Sequence, residues 1–356
     1  MAEKYVAVDS GKYQTKLCTY EKGADMKRQK FRTKISPGTF DDDMIGAGTF
    51  IVQVDGGDVF KIGREAKQEA VLESSKKSEI HKICTLAAIA LSCGSGEHDG
   101  VNVAIGIPYQ ICQVPEERLD YKKYILGAPG EKHTVKIKTN GNADPVTSVF
   151  TINRQLVYPE GIGVLYEHPS KFNDGPTGIV DIGNLNINAL HTASFDVFGE
   201  SCFSDELGGK ILIANLAQTL TSELGSRCDE NLVAATLLKE KDARHLTSKK
   251  GNTDLEKKSR EIIDREVLEH VAAIKRGCDS KHWPIEFMNT VCLGGTAKLL
   301  RNEIYEVFGE DTFIPDQPEY VNVCGFLKKM CADDGIDVAA EVAKAAEKEA
   351  KKEKAA

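Results

Sequence analysis

The feature that most limits what this chain can fold into is a turn that occurs twice. Val6-Ala7-Val8-Asp9-Ser10-Gly11 and Gly178-Ile179-Val180-Asp181-Ile182-Gly183 share one design: an apolar run, an aspartate, and a glycine two residues later. An apolar run bounded by such a turn reads as a buried strand. Glycine permits the turn conformation that other residues resist. The backbone N–H groups of a tight turn converge, and converging N–H groups attract a phosphate. The pair predicts two similar halves in 356 residues, a length that accommodates two ordinary domains. An ordinary hairpin leaves the same trace, so the remaining pattern must discriminate.

Further strand-like runs fall at residues 51–54, 59–62, 101–107, 134–138 and 149–152, and two more at 178–190 and 195–198. Helical patterns lie between them. Residues 64–92 read as one long helical stretch with a break near Ser74 and Ser75. Residues 115–126 open with Pro-Glu-Glu, a favourable first turn. Residues 255–274 place Ile263, Val267, Val271 and Ile274 on one face, with Lys, Arg and Glu opposite. Strands alternating with helices predict an α/β fold with mixed sheets. The polar run 171–176 predicts a boundary between domains spanning 1–175 and 176–337, and the Ala/Glu/Lys-rich tail 338–356 reads as a solvated helix or frayed end.

Composition narrows the function classes. Apolar residues make up 41% and charged residues 28%, the balance of a soluble globular protein. The longest apolar stretch, residues 83–93, is about half a membrane span. The first residues enter a strand without a basic-then-apolar signal region, so a cytoplasmic protein without a membrane anchor is expected. Ten cysteines form no CxxC pair and have no histidine cluster beside them, which predicts buried thiols rather than a metal site. A net charge of −8 opposes extensive direct contact with nucleic acid, so any link to DNA should run through a basic adaptor.

Five stations carry candidate chemistry. The first is Asp9, Ser10, Gly11, Lys12, Gln14, Thr15 and Lys16: a phosphate turn, a carboxylate placed for hydrated Mg²⁺, and a lysine adding positive charge. The second is Pro159-Glu160-Gly161, which reads as a helix start, with small residues at 161 and 163 permitting close approach to a neighbour. The third, Asp181, Gly183, Asn184 and Asn186, repeats the first. The fourth is Glu206-Leu207-Gly208-Gly209-Lys210, a double glycine opening a helix. The fifth is Gly294-Gly295-Thr296-Ala297-Lys298, where a strand runs through Gly-Gly into a helix whose N-terminus favours anions.

In this order and at these intervals the stations resemble the superfamily of actin, DnaK-type chaperones and sugar kinases, over roughly residues 4–330. Within it, Val157-Tyr158-Pro159-Glu160-Gly161-Ile162, followed about 20 residues later by Ile179-Val180-Asp181-Ile182-Gly183, is similar to the ParM-type plasmid-segregation actins. The resemblance implies an actin-like ATPase fold: two related domains, each a mixed sheet flanked by helices, with a nucleotide cleft between them. It implies outer subdomains near residues 33–75 and 208–262, and a segment, 318–337, returning to the first domain. It also implies ATP (or GTP) with Mg²⁺ held through water by Asp9 and Asp181, and Glu160 positioning the attacking water. Gly11, Lys16, Gly183 and Asn184 would hold phosphates; Gly294, Gly295 and Thr296 would face the adenosine. The chain departs from the family at Gly183-Asn184-Leu185-Asn186, where relatives often carry Gly-Gly-Thr-Thr, and at Asn188, where many carry Asp.

The function so implied is a slow ATPase that polymerises head to tail with ATP. Such a filament would segregate plasmid DNA through a ParR-type DNA-binding adaptor at a centromere-like site. Two alternatives share the fold. A small-molecule kinase needs a carboxylate base beside its substrate, yet the run Ile107-Pro108-Tyr109-Gln110 has no acid at the turn. A non-polymerising ATP-binding assembly protein is separated by sedimentation in ATP.

Overall fold

The strand β1 (Lys4–Ser10) is buried at every position after Lys4, because its run of small and β-branched residues suits a strand covered on both faces. The computed structural model describes residues 3–70, 75–140, 144–172, 175–193, 195–248 and 251–342. They form two compact units: Met1–His168 with the chain from Asn322 onward, and Pro169–Val321.

In the first unit, β1 pairs antiparallel with β2 (Gln14–Glu21) and parallel with β8 (Gly96–Ile107). Outside β2 lies β3 (Lys27–Arg32). The strands β4 (Lys34–Pro37), β5 (Thr49–Val54), β6 (Val59–Gly63), β7 (Gln68–Glu69), β9 (Lys132–Thr139) and β10 (Val146–Pro159) complete one ten-stranded sheet, in the order β3-β2-β1-β8-β10-β9-β5-β6-β4-β7. Long β10 lies between β8 and β9 in this sheet. Its first residues, 146–151, pair antiparallel with β9 on one side, while residues 148–159 run parallel to β8 on the other, with register shifts between Phe150 and Arg154. The helix α1 (Glu79–Cys93) covers the sheet and is buried on most sides, with alanines at 87, 88 and 90 letting it lie close. A one-turn α2 (Tyr109–Cys112), the helix α3 (Pro115–Leu126) and a short α4 (Gly163–Glu167) follow. The returning helix, Val321–Asp333, packs Gly325 on α4, where an added Cβ would lie 1.9 Å from the Gly163 carbonyl oxygen.

The second unit opens with α5 (Pro169–Phe172) and the hairpin of β11 (Pro176–Ile182) and β12 (Ile187–Ala193). Next come β13 (Asp196–Val197), β14 (Phe203–Asp205), and helices α6 (Gly209–Leu224), α7 (Glu230–Leu237) and α8 (Thr253–Ser280). The strand β15 (Asn289–Leu293) pairs parallel with β11, and α9 (Gly295–Leu299) and α10 (Arg301–Phe308) follow it. The sheet order is β13-β12-β11-β15, with β14 beside β12. Asn252 caps α8 by accepting from the Leu255 N–H, and its Ile263, Val267, Val271 and Ile274 face is buried, as the periodicity requires. The returning helix is α11.

Several expectations need correction. The helical stretch 64–92 is not one helix: Gln68–Glu69 is a strand paired with β4, the Ala70 N–H donates to the Thr33 carbonyl, and α1 begins only at Glu79. Sheet pairing outweighs the local helical pattern there, and residues 71–74 lie outside the described ones. The run 178–190 is two strands broken at Gly183–Asn186, and only Asp196–Val197 of 195–198 is strand, because Phe195 turns with φ 75°. The Pro159-Glu160-Gly161 run does not start a helix; Glu160 still donates its N–H to the Ile107 carbonyl, and the helix begins at Gly163. The compact units divide between His168 and Pro169, before the expected 175/176 boundary, and Phe172 packs on Phe313 within the second unit. Val338 is buried, while most of the expected tail, 343–356, lies outside the described residues. Of the described helices, none is long and apolar enough to cross a membrane. Nine of the ten cysteines are buried and Cys202 is half-buried.

Candidate functional site

In the first unit the β1–β2 hairpin sets the geometry. Asp9 pairs with Lys16 and Ser10 with Thr15 across the ladder, and the Gly11 N–H closes the turn on the Gln14 carbonyl at 3.1 Å. Beneath the turn, Thr33 Oγ1 donates to the Gly11 carbonyl at 2.6 Å and lies 3.0 Å from Thr15 Oγ1, which is 3.2 Å from Ser10 Oγ. Ser10 and Thr15, expected at the ligand, are buried and brace the turn from behind. Gly11, Lys12, Gln14 and Lys16 remain partly exposed.

Asp9, at the end of β1, is buried. Its Oδ2 lies 3.4 Å from Lys16 Nζ and its Oδ1 3.3 Å from Lys76 Nζ. Lys76 also pairs with Glu160. Glu160 sits at the end of β10, held by its N–H to Ile107, and the next N–H, of Gly161, donates to Asn322 Oδ1 of α11 at 3.0 Å. Gly106 makes room between the acids: a Cβ there would lie 3.5 Å from Asp9 Oδ1 and 3.6 Å from Glu160 Cγ. Burial pushes the Asp9 carboxyl up, but Lys76 and Lys16 outweigh it and hold the group below its ordinary value. Glu160, by contrast, is raised by burial and by Asp9 despite Lys76. For Lys76, burial opposes the charge, yet the two carboxylates raise it above the usual lysine range.

The second unit builds the same turn. Asp181 pairs with Asn188, Ile182 with Ile187, and the Gly183 N–H closes on the Asn186 carbonyl at 3.0 Å. Asp9, Gly11 and Gln14 thus correspond in backbone role to Asp181, Gly183 and Asn186, while Lys16 corresponds to Asn188. The lysine is present in one half only; Asn188 instead accepts a hydrogen bond from Ser204 at 2.6 Å. Two helix starts grip this turn. The Gly209 N–H donates to the Gly183 carbonyl at 3.1 Å, the Lys210 N–H to the Asn184 carbonyl at 2.7 Å, and Thr296 Oγ1 to the Gly183 carbonyl at 2.8 Å. Three glycines permit this approach. A Cβ would meet the Leu185 carbonyl carbon at 2.4 Å from Gly208, Thr296 Oγ1 at 2.7 Å from Gly209, and the Ile182 carbonyl oxygen at 2.4 Å from Gly294, whose φ is 94°. Gly295 faces open space. Glu206 is exposed, and Lys298 is exposed with its ammonium 3.7 Å from Glu319.

Asp9, Lys16 and Glu160 therefore meet in one unit, and Asp181, Gly183, Gly208, Gly209, Gly294 and Thr296 in the other. Sequence reasoning missed Lys76, Thr33 and the role of Asn322. The Ser-Ser-Lys-Lys-Ser run at 74–78 looks like a solvated loop, and only the burial of Lys76 singles it out. Among the described residues no cluster of three His, Cys, Asp or Glu side chains forms a metal cage. Strand-end carboxylates beside phosphate-type turns suit instead a hard cation that keeps waters and shares a ligand's phosphates, as Mg²⁺ does.

Comparison with known proteins fits this geometry. Residues 7–163, less than half of the chain, match the family model described as the N-terminal domain of actin-like proteins. No curated protein matches the sequence. Among solved structures, the archaeal actin homologue Ta0583 superposes with a TM-score of 0.70 at 17% identity, covering 94% of this chain and 100% of its own. The same protein in complex with ADP gives 0.64 at 18% identity, with the same coverage. The Alp12 filament structure gives 0.68 at 20% identity, covering 94% and 100%. A 15-stranded ParM filament from Clostridium botulinum gives 0.68 at 16% identity, covering 93% and 100%. The chain has the actin-like fold: two mixed sheets flanked by helices. Its resemblance to ParM proteins rests on that fold together with the matched N-terminal region.

Proposed function

We propose that this protein is an actin-like ATPase that assembles head to tail with Mg-ATP, or GTP, and moves plasmid DNA in the cytoplasm through a basic DNA-binding adaptor. The observation that carries the reading is the same aspartate-tipped turn built once in each unit, with Glu160 beside the first. Phosphoryl transfer asks a protein mainly to position groups and neutralise charge. Gly11 and Gly183 would offer turn backbone to phosphates, Lys16 would add positive charge, and Asp9 and Asp181 would hold the metal. Bound Mg²⁺ supplies charge neutralisation on the phosphates. Glu160, fixed by its own N–H and by Gly161 on Asn322, accepts a hydrogen bond from the attacking water and orients it. With Glu160 as the group that orients the water, turnover would be slow, suited to a timer.

Head-to-tail packing of one surface on a different one does not close on itself, so it generates a filament. Support comes from the filaments named for Alp12 and the clostridial ParM, and from the ADP complex of Ta0583. The test is electron microscopy and sedimentation of the purified protein in Mg-ATP against Mg-ADP, with phosphate release followed in parallel. Filaments that pellet in ATP are expected, and E160A should slow phosphate release at least tenfold while nucleotide still binds. A soluble monomer at high concentration in ATP overturns the assembly function. Rapid ADP release only on adding a sugar or short acid points instead to a kinase.

A further inference from the structure

Lys76 stands where the metal and the phosphates are proposed to act, and this inference rests on that reading. Its ammonium is buried and bridges Asp9 Oδ1 and Glu160. Lys16 holds the other Asp9 oxygen. Both oxygens of Asp9 therefore lie against cations, and two carboxylates face two lysines. Lys16 is fixed on a strand; Lys76 lies on the irregular segment before α1.

We propose that Lys76 is a resident counterion that keeps free divalent metal out of the Asp9–Glu160 site and yields it only to a metal–nucleotide complex. The physical argument is exchange. A hard cation approaching Asp9 alone meets two ammonium groups, and like charges at a few ångströms in a buried setting repel strongly. Displacing Lys76 without compensation would leave a buried ammonium short of a partner, which is costly. A di- or triphosphate supplies that partner: its oxygens accept the ammonium while the cation takes Asp9. Metal entry then depends on phosphate, and Lys76 remains by Glu160 as a positioning residue, able to hold it toward the water. A lysine that merely stabilises the fold predicts no gain in affinity for free metal when its charge is removed.

The experiment is Mn²⁺ binding to the full chain, read by electron paramagnetic resonance, with Mn²⁺ alone, with AMP, with ADP and with a non-hydrolysable ATP analogue. Wild-type protein should bind Mn²⁺ weakly alone or with AMP, and at least tenfold more tightly with ADP or the analogue. K76Q should gain at least tenfold in affinity for Mn²⁺ without nucleotide, K76R should not, and D9N added to K76Q should abolish the gain. Tight Mn²⁺ binding by the wild-type chain without nucleotide overturns the proposal, and needs no variant to fold. So does a folded K76Q chain that binds free Mn²⁺ no better than wild type. Failure of the wild-type chain to bind any nucleotide, measured in the same titrations, would instead remove the proposed function beneath it.

Discussion

His81 sits in the first turn of α1 with no exposed surface, its Nδ1 2.8 Å from Ser78 Oγ. Burial, with Lys76 and Lys12 nearby, lowers its pKa to about 3. The unfolded chain takes up this proton near pH 6.5, whereas the native chain refuses it until near pH 3. The unfolded state therefore binds more protons throughout that window, and stability falls as the pH is lowered through it. The expected slope from this residue is about 1.4 kcal/mol per pH unit below pH ~6. Urea unfolding at pH 6, 5 and 4 should show a shallower loss for H81N than for wild type; equal slopes would sink the assignment. The residue scale also separates what a sequence discloses from what it hides. Asp9, Asp181 and their glycines are legible because turn chemistry is local. Lys76 meets Asp9 and Glu160 from 67 and 84 positions away, and Asn322 reaches Gly161 across 161. No spacing rule brings such partners together.

At the scale of elements, the second unit is held by a buried ion pair as well as by its apolar core. Arg244, on the loop before α8, sets Nη1 3.1 Å from Glu303 of α10, and both side chains are almost wholly buried. Arg244 also donates to the carbonyls of Lys239 at 3.1 Å and Leu299 at 2.5 Å, tying the loop to the end of α9. Removing one member leaves a buried charge without its partner, at a cost of about 3–5 kcal/mol. E303A should lower the urea midpoint accordingly, while R244M combined with E303L should recover most of it. A small loss in E303A would mean that the carbonyls alone satisfy the guanidinium. Elements were unevenly readable for a related reason. The helix α8 announces itself because one face is wet and the other dry. The stretch 64–92 misleads because β7 takes its partners from β4, a pairing that leaves no periodic mark in two residues. The β11–β12 turn hides within an apolar run because both strands are buried, so only Gly183 and the asparagines betray the break.

For the whole molecule, the repeated hairpin makes a quantitative demand. A ligand that binds only the native chain stabilises it by about 2.7 kcal/mol at a hundredfold excess over its Kd. For units of this size that raises Tm by roughly 5–11 °C. Mg-ATP should produce such a rise, and EDTA should remove most of it if the proposed binding runs through a divalent cation. The informative comparison is between D9N and D181N. Each changes one turn and leaves the other intact, and the quantity read is the nucleotide-induced shift, which is separate from any change in the unliganded Tm. If one metal-nucleotide uses both turns, either substitution cuts the shift by more than half, because the ligand loses metal contacts that the remaining turn cannot replace. If D9N abolishes the shift and D181N leaves it whole, binding belongs to the first unit alone. The duplicated turn would then be a shared ancestry of backbone without a shared task, and nucleotide-driven assembly would lose its physical basis, since nothing would couple the second unit to the ligand.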